Sequence, residues 1–116
     1  MINLSNEKIL TDIAKNLEKI SNSILLNSLM EYRKKHENIM IQVLKSDAKK
    51  AIYELCNGEN KVTDIAKILN KKQPTISLQL KDLFDEKIVF NNQTGAGNFP
   101  ISIDAIIENI ITSNLK

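Results

Sequence analysis

The apolar positions in the first part of the chain recur at helical spacing. Five apolar residues lie alternately three and four positions apart, namely Leu10, Ile13, Leu17, Ile20 and Ile24. This spacing places them on one face of an amphipathic helix. Residues 1–45 contain no glycine or proline that would end such a helix.

A second apolar stripe follows in the same segment. It runs through Tyr32, His36, Ile39 or Met40, and Val43. The residues between the two stripes, 21–28, form the weakest helical stretch because they are rich in serine and asparagine. The pattern therefore predicts either one long helix or two helices with a bend in this region.

The first stripe has two interpretations. It could cover the core of its own domain, or it could pack against a second copy of the chain. We favour the second copy, because about 70 remaining residues offer too little surface to cover so long a stripe, and soluble proteins seldom leave one exposed.

The next segment is divided into shorter elements. Ser46 and Asp47 provide an N-cap for a helix over residues 48–56, which ends at Asn57-Gly58. The expected inward positions of this helix are Ala48, Ile52 and Leu55.

Two further helices are predicted on either side of a four-residue turn. Thr63 is the expected cap of the first, "DIAKILN", and Pro74 opens the second. Ile76, Leu80 and Leu83 fall on one face of the second helix, so that Leu78 points to the opposite, outward face.

The last part of the chain predicts a hairpin and a helix. The segments "KIVFNN" and "NFPIS" have β character and are separated by "QTGAG", while Pro100 marks an edge strand. Ser102 is the expected cap of a helix over residues 103–114. The predicted fold is mostly α with a small β-hairpin wing: a winged helix-turn-helix with a long N-terminal helical extension.

This order of elements suggests three parts. Residues 1–45 form an N-terminal helical dimerisation segment, residues 46–102 a winged helix-turn-helix core, and residues 103–116 a C-terminal helix. The whole chain of 116 residues is short enough for one domain with an extension.

Composition narrows the class of protein. Hydrophobic residues make up 42% and charged residues 26% of the chain, as in globular proteins. With 16 basic and 14 acidic side chains the net charge is only +2, so a basic surface must come from local clustering. Neither a signal peptide nor a membrane span is apparent, and we expect a cytoplasmic protein.

The chain offers little for metal or catalytic chemistry. Its single cysteine, Cys56, and single histidine, His36, rule out an internal disulfide and a zinc site of four such ligands from one chain. We interpret Cys56 as a small buried hydrophobe and His36 as a solvated side chain. Convergent acid pairs, phosphate-binding glycine loops and nucleophile motifs are missing from the sequence, so we expect no enzyme, no cofactor and no metal.

The segment "IAKILNKKQPTISLQLKDLFDEKIV" resembles the ArsR-like winged-helix transcription regulators, with MarR-like proteins as near neighbours. The resemblance covers about residues 44–107. It implies a sequence-specific DNA-binding regulator that acts as a homodimer on double-stranded DNA, with a recognition helix over residues 73–84 in the major groove.

The residue types at this helix suit that role. Proline costs no hydrogen bond in the first helical turn, whose free N–H groups and dipole favour an approaching phosphate. The short polar side chains beside it can contact backbone or base edges. The expected DNA-binding residues are Lys49, Lys50, Lys67, Lys71, Lys72, Gln73, Pro74, Thr75, Ser77, Leu78, Gln79, Lys81, Asn92 and Gln93.

The sequence departs from the family pattern at several positions. Lys72 stands where the family often has a serine cap, and Leu78 and Gln79 stand where it often has arginine or histidine. The wing tip "NNQTGAGN" has no cation, and "VTDIAKI" lacks the cysteine pair of the family's best-known metal motif. An alternative is a winged-helix protein–protein interaction module with little DNA affinity. It is favoured by the cation-free wing, the low net charge, and Leu78, Asp82 and Asp85 on or near the outer face of the recognition helix. The operator, any effector and the sign of regulation are not encoded in these patterns.

Overall fold

The computed structural model describes residues 4–114, and the side chains of residues 7–113 within that range. Three helices precede a helix-turn-helix, which is followed by a hairpin and a final helix, as in the winged helix-turn-helix fold. The elements are α1 (Leu4–Lys35), α2 (Glu37–Val43), α3 (Asp47–Leu55), α4 (Val62–Ile68), α5 (Gln73–Asp85), β1 (Val89–Thr94), β2 (Gly97–Ser102) and α6 (Ile103–Asn114). The predicted fold class is confirmed, and none of the described helices is long and apolar enough to cross a membrane.

The core lies between α3, α4, α5 and the base of the hairpin. Its largest buried side chains are aliphatic and come from all of these elements: Ile52, Ile65, Ile76, Leu80, Leu83, Ile88 and Val89. The expected inward face of α5 is thus confirmed, and the burial of three side chains from one helix fixes its rotation about its axis. On α3, Ile52 is buried as expected and Leu55 is half-buried, but Ala48 is exposed and Tyr53 is buried instead.

The N-terminal segment forms two helices, but the break is not where the sequence indicated. Helix α1 continues through residues 21–28 and ends at Lys35. Ser23 donates a hydrogen bond of 3.0 Å to the carbonyl of Lys19, so this polar side chain is satisfied by its own helix. The break occurs at His36, whose ring stacks on Tyr32 with centroids 4.1 Å apart. His36 is half-buried, and its interpretation as a solvated side chain is wrong.

Among the described side chains, the partly buried positions of α1 begin at Asn22. Helix α1 lies against α6, and the Tyr32 hydroxyl donates to the carbonyl of Lys87 at 2.8 Å. The radius of gyration is 18.5 Å, against about 13 Å for a compact chain of this length. Helix α1 alone is about 48 Å long, and its projecting first half accounts for the extended shape.

The predicted helix ends are mostly confirmed. The Ser46 hydroxyl accepts from the backbone N–H of Lys49, Ser102 caps α6 through the N–H of Ala105, and Gly58 has a φ of +83°. The expected cap at Thr63 is wrong. Helix α4 begins two residues earlier, at Val62, where the Asp64 carboxylate accepts the N–H of the capping residue Lys61 at 2.9 Å.

The hairpin is tighter than the sequence suggested. Gln93 pairs with Asn98 and Thr94 with Gly97, so the strands extend into the expected loop. Only Gly95 and Ala96 remain as the turn, which closes when the Thr94 hydroxyl accepts the N–H of Ala96. The hairpin forms a two-stranded sheet with Pro100 in the second strand.

Candidate nucleic-acid interface

The turn between α4 and α5 is held by a defined helix end. Asn70 adopts a left-handed conformation with φ of 53°, and the N–H of Lys71 donates to the carbonyl of Ala66 at 2.9 Å. This is the pattern of a Schellman cap, with asparagine in place of the more usual glycine. The turn therefore presents its lysines from a rigid backbone.

The two faces of α5 differ sharply. Ile76, Leu80 and Leu83 are buried, whereas the Leu78 side chain remains 68% exposed. The other residues of the outward face are also exposed: Thr75, Ser77, Lys81 and Asp82. A large aliphatic side chain thus stands in the middle of an otherwise polar, solvent-facing surface.

The start of α5 leaves room for an anion. Gln73 and Pro74 are exposed, and no side chain caps the helix at Lys72. The N–H groups of Thr75 and Ile76 bond to the Lys72 carbonyl at 3.1 and 3.2 Å. Lacking a capping side chain, the first turn keeps the positive end of its dipole open to solvent.

Three lysines share this end of the helix-turn-helix. Lys67 lies on the last turn of α4, and Lys71 and Lys72 follow in the turn; all three are exposed. Within residues 7–113, none of them is paired with a carboxylate. With a net charge of only +2, a basic surface has to come from locally clustered cations, and these three lysines form such a cluster beside the start of α5.

Lys49 and Lys50 have different positions. The Lys49 ammonium pairs with Asp82 of α5 at 3.1 Å and is only 25% exposed. Lys50 instead lines a cleft of about 300 Å³ together with Arg33, Glu37 and Asp104. Neither lysine belongs to the free cations of the turn: Lys49 is neutralised, and Lys50 lies among residues of α1, α2 and α6.

Gln79 does not stand with the exposed side chains of α5. It is half-buried, and its Oε1 atom is buried without a hydrogen-bond partner in the described part of the chain. A contact between Gln79 and DNA would require this side chain to rotate outward. Asn92 and Gln93 of the hairpin are exposed, as the sequence suggested.

Lys61 is a candidate that the sequence did not single out. Its ammonium lies 5.7 Å from the centroid of the Phe99 ring in β2. Lys61 is far from the hairpin along the chain, so only the packing of α4 on β2 reveals this proximity.

Cys56 is buried, as expected. Burial raises the pKa of its thiol to about 12, and the thiol donates to the carbonyl of Ile52 at 3.2 Å. A protonated, enclosed thiol is a poor metal ligand or nucleophile. Among the described residues, no group of three or more His, Cys, Asp or Glu side chains could hold a metal ion.

A comparison with protein families supports this assignment of the interface. Residues 46–89 match the model of the family described as "Bacterial regulatory protein, arsR family". This segment of the chain is therefore similar to an ArsR-family domain. This domain runs from the cap of α3 to the start of β1 and so includes the complete helix-turn-helix. No curated protein matches the chain significantly.

This similarity supports a DNA-binding transcription regulator. The resemblance inferred from the "QPTISLQLKDLF" segment is confirmed. The family assignment also points to a regulator rather than an enzyme.

Proposed function

We propose that the protein acts as a homodimer that places α5 in the major groove of double-stranded DNA. The observation that carries this proposal is the arrangement of α5 itself. Three buried side chains anchor one face, while the opposite face and the uncapped first turn are exposed beside unpaired lysines. Residues 1–45 would serve dimerisation, residues 46–102 DNA binding and residues 103–116 support; residues 1–3 and 115–116 of these ranges lie outside the described structure.

Phosphate contacts would come from the turn. Lys67, Lys71 and Lys72 are exposed and free of ion pairs within the described residues, so DNA phosphates are their natural counter-charges. The start of α5 would add backbone and short side-chain contacts through Gln73 and Thr75. These contacts orient the helix without selecting a sequence.

Base selection would depend on the exposed face of α5. Leu78 has no hydrogen-bonding group and so does not read guanine, but its side chain can pack against thymine methyl groups. We therefore expect a preference for A·T-rich sites. Ser77 and Lys81 flank Leu78 on the exposed surface and are available for contacts to base edges or phosphates.

The dimer is supported by the first stripe of α1. Its five side chains are 49–63% exposed: Leu10, Ile13, Leu17, Ile20 and Ile24. Their alternating spacing of three and four matches the a and d positions of a coiled coil. The partly buried side chains of α1, such as Leu26 and Leu29, lie off this stripe, so the stripe is free to pair with a second copy.

A protein–protein interaction module remains the second candidate. Its specific support is the exposure of Leu78 together with Ile68, two large aliphatic side chains on α5 and α4. Such a module would use these side chains as apolar anchors for a partner and would need no affinity for DNA.

Fluorescence anisotropy with labelled random duplex DNA separates the two candidates. We expect binding that weakens steeply with salt, and the paired change Lys71→Ala and Lys72→Ala should lower the salt slope by about two units per protomer. The paired change Lys15→Ala and Lys19→Ala removes the same charge from α1 and serves as the control. Absence of binding at low salt would support the interaction module.

Analytical ultracentrifugation tests the dimer. Leu17→Glu places a charge in the apolar stripe and should convert a dimer into a monomer at micromolar concentration. Thr11→Glu, on the outer face of the same helix, is the matched control and should remain dimeric. A wild-type monomer, or a Leu17→Glu variant that stays dimeric, would refute this interface.

A further inference from the structure

The hairpin has no cation of its own. No lysine or arginine occurs between Lys87 and Lys116, so neither strand nor the Gly95-Ala96 turn carries a positive side chain. A wing without a cation gains little from the counterion release that drives binding to DNA. The fold, however, brings an ammonium group to this hairpin from another element.

Lys61 supplies that group. It immediately precedes α4, and its backbone is held by the Asp64 carboxylate, which accepts the Lys61 N–H at 2.9 Å. The side chain crosses to β2, where the Nζ atom lies 5.7 Å from the Phe99 ring centroid. The ring face attracts the ammonium and favours this position over others.

Gly97 leaves space for the lysine stem. It has a φ of +134°, a conformation that other residues rarely adopt. A methyl group at this position would lie 3.2 Å from Lys61 Cε and 3.5 Å from Nζ. The lysine therefore passes directly over the first residue of β2, beside the hairpin turn.

The charge of Lys61 is available to a ligand. The residue is exposed, and within residues 7–113 its ammonium has no carboxylate partner. Helix α4 packs against both α5 and β2, and its length of about 10 Å separates Lys61 from the Lys71–Lys72 turn. The two positions can thus reach different phosphates.

We propose that Lys61 is a DNA-backbone contact that provides the wing with its missing cation. This inference rests on the proposed function, since it requires that the helix-turn-helix binds DNA. In the complex, Phe99 and Gly97 would hold the ammonium beside the hairpin turn, and the phosphate of the neighbouring strand would become its counter-charge. Asn92 and Gln93 would then contribute hydrogen bonds but no charge.

Salt-dependent anisotropy of four proteins tests the proposal. Lys61→Gln removes the charge while keeping a polar side chain only one bond shorter, and should lower the salt slope by about 0.9 per bound protomer. Between about 50 and 200 mM salt, the wild type should therefore lose about 3.5-fold more affinity per protomer than this variant. Lys61→Arg should retain the wild-type slope, and Lys8→Ala, a control of equal charge on α1, should lower it by less than half as much.

The outcomes distinguish this inference from the proposed function. If the wild type binds DNA and Lys61→Gln shows the same salt slope, only the role of Lys61 is overturned. A wild-type protein without salt-dependent binding would overturn both. A second readout uses Lys61→Cys labelled with an iron chelate, since Cys56 is buried. DNA cleavage above that of an equally labelled Lys8→Cys protein supports the proposal, and equal cleavage contradicts it.

Discussion

Asp104 joins three helices, and its removal should loosen the attachment of α1. Its carboxylate accepts from the Arg33 Nε of α1 at 2.5 Å and from the Tyr53 hydroxyl of α3 at 2.8 Å. Burial raises the pKa of Tyr53, and the hydrogen bond to Asp104 raises it further. The same carboxylate, through its hydrogen bond, raises the pKa of Arg33.

The magnitude for Asp104→Ala follows from these contacts. Tyr53 is only 6% exposed, and a buried hydroxyl without its partner costs about 1–3 kcal/mol. The ion pair is more than 40% exposed on both sides, so solvent limits its contribution to about 0.2–1 kcal/mol. The loss of an acid from the first turn of α6 adds about 0.3–1 kcal/mol. We expect a total loss of about 1.5–5 kcal/mol in the free energy of unfolding, mostly from Tyr53.

Urea unfolding followed by circular dichroism, at one fixed protein concentration, measures this loss. Glu108→Ala removes an exposed acid from the same helix and serves as the control. Tyr53→Phe should lower the free energy of unfolding by less than Asp104→Ala does, because it removes the buried hydroxyl and so leaves no unpaired hydrogen-bonding group. If the free energies of unfolding of Asp104→Ala and Glu108→Ala agree within about 0.5 kcal/mol, Asp104 does not stabilise the junction of the three helices.

Three further predictions concern single side chains. Cys56 should react with a thiol reagent only on unfolding. Because the pKa of its thiol is about 12 in the folded protein against an ordinary 9.0, its contribution to stability should be complete below about pH 9 and decline above it. Urea titrations at several pH values would measure this decline. Asp82→Asn should free Lys49 and increase affinity for all duplexes, with a salt slope larger by about one unit per protomer; an unchanged slope would place Lys49 away from DNA. Leu78→Arg should keep or increase nonspecific affinity while the preference for A·T-rich over G·C-rich duplexes is lost; an intact preference would mean that this face does not contact bases.

Much of the fold was readable from local patterns. The inward spacing of Ile76, Leu80 and Leu83 defined the orientation of α5, and Pro74 marked its start. These features depend on neighbours in sequence, where helical periodicity is reliable. The exposure of Leu78 followed from the same periodicity.

The structure departs from the sequence-based expectations where it depends on backbone hydrogen bonds or on contacts between residues distant in the chain. The helix break lies at His36, whose backbone N–H bonds to the carbonyls of both Tyr32 and Arg33. In the serine-rich stretch, by contrast, the Ser23 hydroxyl bonds to a carbonyl of its own helix. Lys49 was expected to meet phosphate, but the packing of α3 on α5 brings it to Asp82. Sequence spacing contains no information on such pairs, which are distant in the chain.

The surroundings of Lys61 and Gln79 could not be predicted from sequence either. The role of Lys61 depends on α4 packing on β2, and nothing in residues 57–61 indicates a neighbouring hairpin. Gln79 lies on the flank of α5, where periodicity alone does not decide whether a side chain is covered.

Amide chemical-shift mapping by NMR during titration with duplex DNA tests the central claim most directly. The account predicts that the largest changes occur in residues 71–81, with smaller changes at Lys61 and the hairpin turn. The α1 stripe should change little, because it is committed to the second copy. Changes confined to α1 or α6, or no changes at low salt, would contradict the placement of α5 against DNA.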